Sequence, residues 1–87
     1  MKTASDFRTR AALELKIFRW VYLNYKEKPT IEKFMLNSMW THYTDIRMLY
    51  EIGLISARCI DRAYYMYATI RRKYHNNIRE GLLYGNK

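Results

Sequence analysis

From Ile60 onward, apolar residues return every three or four positions: Ile60, Ala63, Tyr67, Ile70, Tyr74 and Ile78. That rhythm fits the 3.6-residue turn of an α-helix and not a strand, whose side chains alternate at every second residue. Ser56 stands ahead of the run where a helix N-cap belongs. Ile55, just before it, is placed to pack on Ile60 as a hydrophobic staple. The pattern continues to about Glu80, and Gly81 stops it. Such a helix is roughly 37 Å long, which is long for a chain of 87 residues. Its second half, Arg71-Arg72-Lys73 through Arg79, either protrudes or docks along a partner.

Helical periods also recur upstream, and period-2 alternation never persists. A first helix is expected from Ser5 to Tyr25, with Ser5 as N-cap and Asp6 in the first turn, where a negative charge suits the helix dipole. Ala11, Leu15, Phe18, Tyr22 and Tyr25 form its apolar stripe. Leu13, Ile17, Trp20 and Val21 widen that stripe, while Lys16 and Arg19 lie outside it. Lys26-Glu27-Lys28-Pro29 ends the helix, because the residue before proline is pushed out of the helical region. Thr30 is the expected N-cap of a short second helix that buries Ile31, Phe34 and Met35 and fades near Asn37-Ser38. Thr41 or Thr44 would cap a third, with Tyr43, Ile46, Leu49 and Tyr50 as its stripe. Gly53 tolerates the left-handed conformation of a helix end, and Leu54 after it would touch Leu49 in a Schellman ending. The expected fold is all-α: one basic domain over residues 1–87, a bundle of three to four helices with a long C-terminal helix.

Size and charge set further limits. A chain this short buries roughly 60–65% of its unfolded surface, so its core needs bulky side chains. Nine tyrosines, two tryptophans, three phenylalanines and five methionines supply them. The lone cysteine, Cys59, allows no intramolecular disulfide, which together with the small size suggests an intracellular, cytoplasmic protein. No apolar run reaches the roughly 18–20 residues that span a bilayer, and Met1 to Arg10 does not read as a signal peptide. Sixteen Lys+Arg face eight Asp+Glu, a formal net charge of +8. That balance speaks to partners and not to fold. Nucleic acid is the first expectation, an acidic protein the second and an anionic membrane surface the third.

Little in the sequence suggests catalysis, a metal or a cofactor. His42 and His75 lie at no metal-ligand spacing from Cys59 or from each other, and no Cys-x-x-Cys occurs. The three glycines are isolated and form no phosphate loop. Asp45 and Glu51 fall on different faces of one helix. Cys59 reads as a small, buried apolar residue.

The segment from Asp45 to Tyr67 resembles helix-turn-helix DNA-binding proteins. Ile46-Arg47-Met48-Leu49-Tyr50-Glu51-Ile52-Gly53 stands where they place the positioning helix and its glycine. Ile55-Ser56-Ala57-Arg58-Cys59-Ile60-Asp61-Arg62-Ala63 stands where they place the recognition helix. The resemblance implies a DNA-binding regulator or accessory factor. Arg58 and Arg62 would then contact guanine edges or phosphate. Ser56 and the first-turn N–H groups would hold a phosphate, and the Tyr65 hydroxyl would reach the backbone. Arg71, Arg72, Lys73 and Arg79 would add sequence-independent, salt-sensitive attraction. In a second register, Pro29-Thr30-Ile31-Glu32 through Gly53-Leu54-Ile55 is similar to the second and third helices of winged-helix proteins. That register would turn Thr41, His42, Thr44, Asp45 and Arg47 to DNA.

Two further readings stand beside duplex DNA. Tyr, Arg, Trp and Met are enriched at protein interfaces, so the chain would also suit a non-catalytic inhibitor or adaptor of the kind found among small viral and mobile-element proteins. Aromatics beside arginines also suit single-stranded RNA. The run Ile60, Ala63, Tyr67, Ile70, Tyr74 approximates a heptad seam through which two copies would pair. The order of the tail from Leu82 to Lys87 is left open.

Overall fold

A computed structural model describes residues 4–81, with side chains from Arg8 onward. Three helices account for nearly all of it: α1 over Ala4–Lys26, α2 over Lys33–Glu51 and α3 over Ala57–Arg79. No strand occurs among the described residues. The protein is elongated, 50 × 21 × 20 Å.

α1 begins at Ala4, so Ser5 lies inside the helix and not at its N-cap. The side chains of Ser5 and Asp6 fall outside the described residues, as do Leu82 to Lys87. Ala11, Phe18 and Tyr22 are buried, and Leu15 and Tyr25 pack against the same core. The expectation that Leu13, Ile17 and Trp20 widen the buried stripe fails. They are 55%, 39% and 66% exposed. The reason is geometric. One helix laid on two others buries only the side between them, and these three residues project from the opposite side. Only Val21 of that set reaches the core edge.

The second and third expected helices are one helix. Its N-cap is Glu32, not Thr30, and the Glu32 N–H donates to the Met35 Sδ at 3.4 Å. Neither Thr41 nor Thr44 starts a helix. Each hydroxyl turns back onto a carbonyl of the preceding turn, Thr41 to Asn37 at 3.0 Å and Thr44 to Thr41 at 2.8 Å. This back-bonding accommodates threonine within a helix, and no proline or glycine interrupts the run. Ile31 and Met35 are buried as expected, but Phe34 is not. In the continuous helix Leu36 and Met39 take the inward positions, and Phe34 points away.

The turn into α3 forms as the sequence predicts. Gly53 adopts φ +83°, the Leu54 N–H donates to the Leu49 carbonyl at 2.9 Å, and the Gly53 N–H donates to the Tyr50 carbonyl at 3.0 Å. Those two bonds define the Schellman ending. Ser56 then caps α3, its Oγ accepting from the Cys59 N–H at 3.3 Å. Ile55 packs against the core cluster that contains Ile60.

α2 and α3 form an antiparallel hairpin. Near the turn Tyr43 meets Tyr64 at 5.8 Å between ring centroids, and further away Trp40 meets Tyr67 at 5.4 Å. Beyond these, Lys33 lies over the Tyr74 ring, and the Ile31 N–H donates to the Asn77 Oδ1 at 2.7 Å. As the number on one helix falls, the number on the other rises by a matching step. Contact therefore persists along the whole length of the pair, whereas the helices of a DNA-reading helix-turn-helix cross at a steep angle near their turn. α1 lies parallel to α3, its C-terminal end beside Lys73.

Between the three helices Phe18, Ile31, Met39, Ile46 and Ile70 are fully buried. Each contributes about 1.5–3 kcal/mol relative to exposure. Ile60, Ala63, Tyr67, Ile70 and Tyr74 belong to this same core. The expected seam for a second copy is thus occupied by the chain's own α1 and α2. Ile78 is only half-buried, and Asn77 takes the inward position beside it. No helix among the described residues is long and apolar enough to cross a membrane.

Candidate nucleic-acid interface

Charge is unevenly distributed over the three helices. α2 balances Lys33 and Arg47 against Asp45 and Glu51, and Arg47 pairs with Glu51 at 3.3 Å. α3 carries Arg58, Arg62, Arg71, Arg72, Lys73 and Arg79 against Asp61 alone. α1 adds Arg8, Arg10, Lys16, Arg19 and Lys26 against Asp6 and Glu14. The positive face of the protein is therefore the side formed by α1 and α3.

On α3 the core takes one set of positions spaced by threes and fours, and a polar stripe takes another. Arg58, Arg62, Tyr65, Thr69, Arg72, Asn76 and Arg79 follow one another at steps of four and three. Those steps keep them on one side of the helix, turned away from Ile60, Ala63, Tyr67, Ile70 and Tyr74. Arg58, Arg62, Tyr65, Arg72 and Arg79 are all exposed. The only ion pair among the described residues is Arg47–Glu51, so none of these four arginines has a carboxylate partner there, Asp61 included. From Arg58 to Arg79 the stripe runs roughly 31 Å.

The remaining predicted residues part company with that stripe. Ser56 is exposed, but its side chain is engaged in the cap, accepting from the Cys59 N–H and donating to the Cys59 Sγ at 3.4 Å. Arg71 falls one full heptad after Tyr64, whose ring meets Tyr43, and so lies toward α2. Lys73 has a different task. Its ammonium donates to the Lys26 carbonyl at 3.0 Å and to the Lys28 carbonyl. The last carbonyls of α1 lack intrahelical donors and carry the negative end of the helix dipole, which a lysine satisfies. Lys73 is thus a tether between α1 and α3 and stands apart from the arginine stripe.

Folding also brings in residues that sequence spacing did not place at the site. A groove of about 650 Å³ opens between α1 and the first half of α3. Leu15, Phe18 and Leu23 of α1 face Cys59 and Met66 of α3 across it. Arg19 of α1 joins Arg58, Arg62 and Tyr65 at the groove, with Asp61 as its one carboxylate. The available signal for Arg19 was its place outside the apolar stripe of the first helix. Its neighbours from α3 were invisible because they lie about forty residues away in sequence. Cys59 is half-buried in this wall.

The winged-helix register finds its residues on α2. It needs two helices where the structure has one. Thr41 and Thr44 are turned onto their own backbone, His42 is half-buried and Arg47 is paired. Among the described residues no three His, Cys, Asp or Glu side chains gather as a metal site.

Compared with family models, curated proteins and solved structures, the chain matches none.

Proposed function

We propose that this is a non-catalytic nucleic-acid-binding protein that lays the outward face of α3 along the phosphate backbone of a duplex, DNA in preference to RNA. The observation that carries the reading is the stripe of Arg58, Arg62, Tyr65, Arg72 and Arg79, exposed on one side of one helix and without carboxylate partners among the described residues. Guanidinium groups in that state hold phosphate oxygens by paired, charge-assisted hydrogen bonds. The Tyr65 hydroxyl, 66% exposed with its residue, adds a phosphate or sugar contact. The neutral α2 faces away, so the charge asymmetry orients the protein on its ligand.

The antiparallel packing of α2 along α3 shapes this proposal. Contacts to phosphate need only an exposed helix side, whereas base reading in the helix-turn-helix manner needs the start of α3 thrust into the groove. The role that fits is an accessory or regulatory factor held mainly by charge.

Titration of a labelled duplex DNA and a matching duplex RNA across a salt series tests the reading. Four arginine–phosphate contacts predict a slope of log affinity against log salt of roughly −3.5 on DNA. A protein that retains neither duplex at low salt refutes it.

A further inference from the structure

We propose that the groove between α1 and α3 docks an acidic amphipathic helix of a partner protein. Its floor and walls are largely apolar, built from Leu15, Phe18, Leu23 and Met66, while Arg19, Arg58 and Arg62 stand at the same groove against the single carboxylate of Asp61. A phosphate chain gains nothing from an apolar floor. A helix with an apolar stripe and carboxylates on its flanks satisfies both halves of the surface at once.

The shape fits that occupant. The groove runs between two parallel helices over Leu15–Leu23 and Arg58–Met66, about 12 Å or two helical turns. Ridges of a further helix seat in such a groove at the usual spacing of about 8–10 Å between axes. The apolar surface also continues past the groove edge: Leu23 is 45% exposed and Trp20, one turn before it on α1, is 66% exposed. Trp, Arg, Tyr and Met are the side chains that dominate interface energetics. A second copy of this chain is the wrong partner, because both walls of the groove belong to its cationic helices. Two such faces repel, and the apolar α3 seam that would offset the repulsion is buried.

This inference does not depend on nucleic-acid binding. The probe is a fluorescein-labelled peptide of about five helical turns, with leucine along one stripe and glutamate on both flanks, long enough to be partly helical alone. A control peptide of identical composition has the leucines scattered. Fluorescence anisotropy is read with the full chain and two variants. Leu23→Asp alters the groove wall, and Met48→Asp alters an exposed apolar residue of α2, 63% exposed. Both substitutions change net charge equally and fall on exposed side chains, so both proteins fold, as circular dichroism melts verify.

The expected result is saturable binding of the striped peptide, weakened about tenfold or more by Leu23→Asp and less than about twofold by Met48→Asp. Absence of saturable binding overturns the proposal. So does equal binding of the scattered peptide, or equal loss in the two variants, since either reduces the effect to general charge attraction. Arg72→Ala and Arg79→Ala, which lie beyond the groove, leave peptide binding unchanged while weakening duplex binding. Failure of one reading is thereby separated from failure of the other.

Discussion

The backbone N–H of Ile31 donates to the side-chain oxygen of Asn77 at 2.7 Å, across 46 residues of sequence. Ile31 is fully buried and Asn77 is 5% exposed. Ile31 sits in the link between α1 and α2, where no helical carbonyl is available to its N–H. Asn77 supplies the acceptor from the last turn of α3, so one hydrogen bond pins the interhelical link to the far end of the hairpin. A buried donor left without a partner bears its full desolvation cost.

Replacement of that acceptor by an isosteric apolar group, Asn77→Leu, therefore costs about 1–3 kcal/mol. For a domain of this size the melting temperature falls by roughly 4–8 °C for each kcal/mol. Thermal unfolding followed by circular dichroism measures it, and a fall of under about 2 °C contradicts the assigned role of the bond.

Gly53 makes a prediction of a different kind. A Cβ at this position meets nothing within 4 Å, yet φ is +83°. Gly53→Ala thus introduces no clash and costs only the left-handed conformation, about 1–2 kcal/mol. Gly53→Asn costs less, because asparagine tolerates that region. Chemical denaturation of the two variants should rank them in that order, and an alanine variant as stable as the parent removes the backbone argument.

Lys73 and Arg72 are neighbours with opposite expected phenotypes. Lys73→Met loses the hydrogen bonds to the Lys26 and Lys28 carbonyls and lowers stability by about 1 kcal/mol. Its salt slope on duplex DNA stays close to that of the parent protein. Arg72→Ala melts like the parent, while its slope becomes shallower by about one. A Lys73 variant with normal stability and a shallower slope would return that residue to the interface.

The same logic separates Arg79 from Arg47. Arg79→Ala weakens binding to unrelated duplex sequences alike, since phosphate contacts carry no sequence information. Arg47→Ala, on neutral α2 and paired with Glu51, leaves affinity within about twofold of the parent. Filter binding on two unrelated duplexes reads both effects, and a larger loss for Arg47→Ala than for Arg79→Ala places the interface on the wrong helix.

Much of the local structure was legible in the residues. The Schellman ending at Gly53-Leu54, the Ser56 cap and the inward stripe of α3 all depend on interactions within a few residues. The merged α2 was not legible, because threonines such as Thr41 and Thr44 serve equally as caps and as back-bonded helix residues. Which fate wins depends on what the rest of the helix packs against. At the candidate interface the exposed arginines of α3 could be read from periodicity alone. The diversion of Lys73 to the end of α1 could not be, nor the approach of Arg19 and Leu23 to Arg58 and Arg62.

The amino-acid order by itself thus determined an all-helical chain, the bounds of its last helix and the tight turn before it. These follow from capping, glycine geometry and apolar period, all of which act over a turn or two. Tertiary packing alone decided which apolar stripes were covered and which cations remained free. It buried the α3 seam within the chain, left Leu13, Ile17 and Trp20 outside and drew Lys73 inward. Burial and charge pairing are settled by neighbours distant in sequence, and a helix carries no record of which of its sides those neighbours will reach.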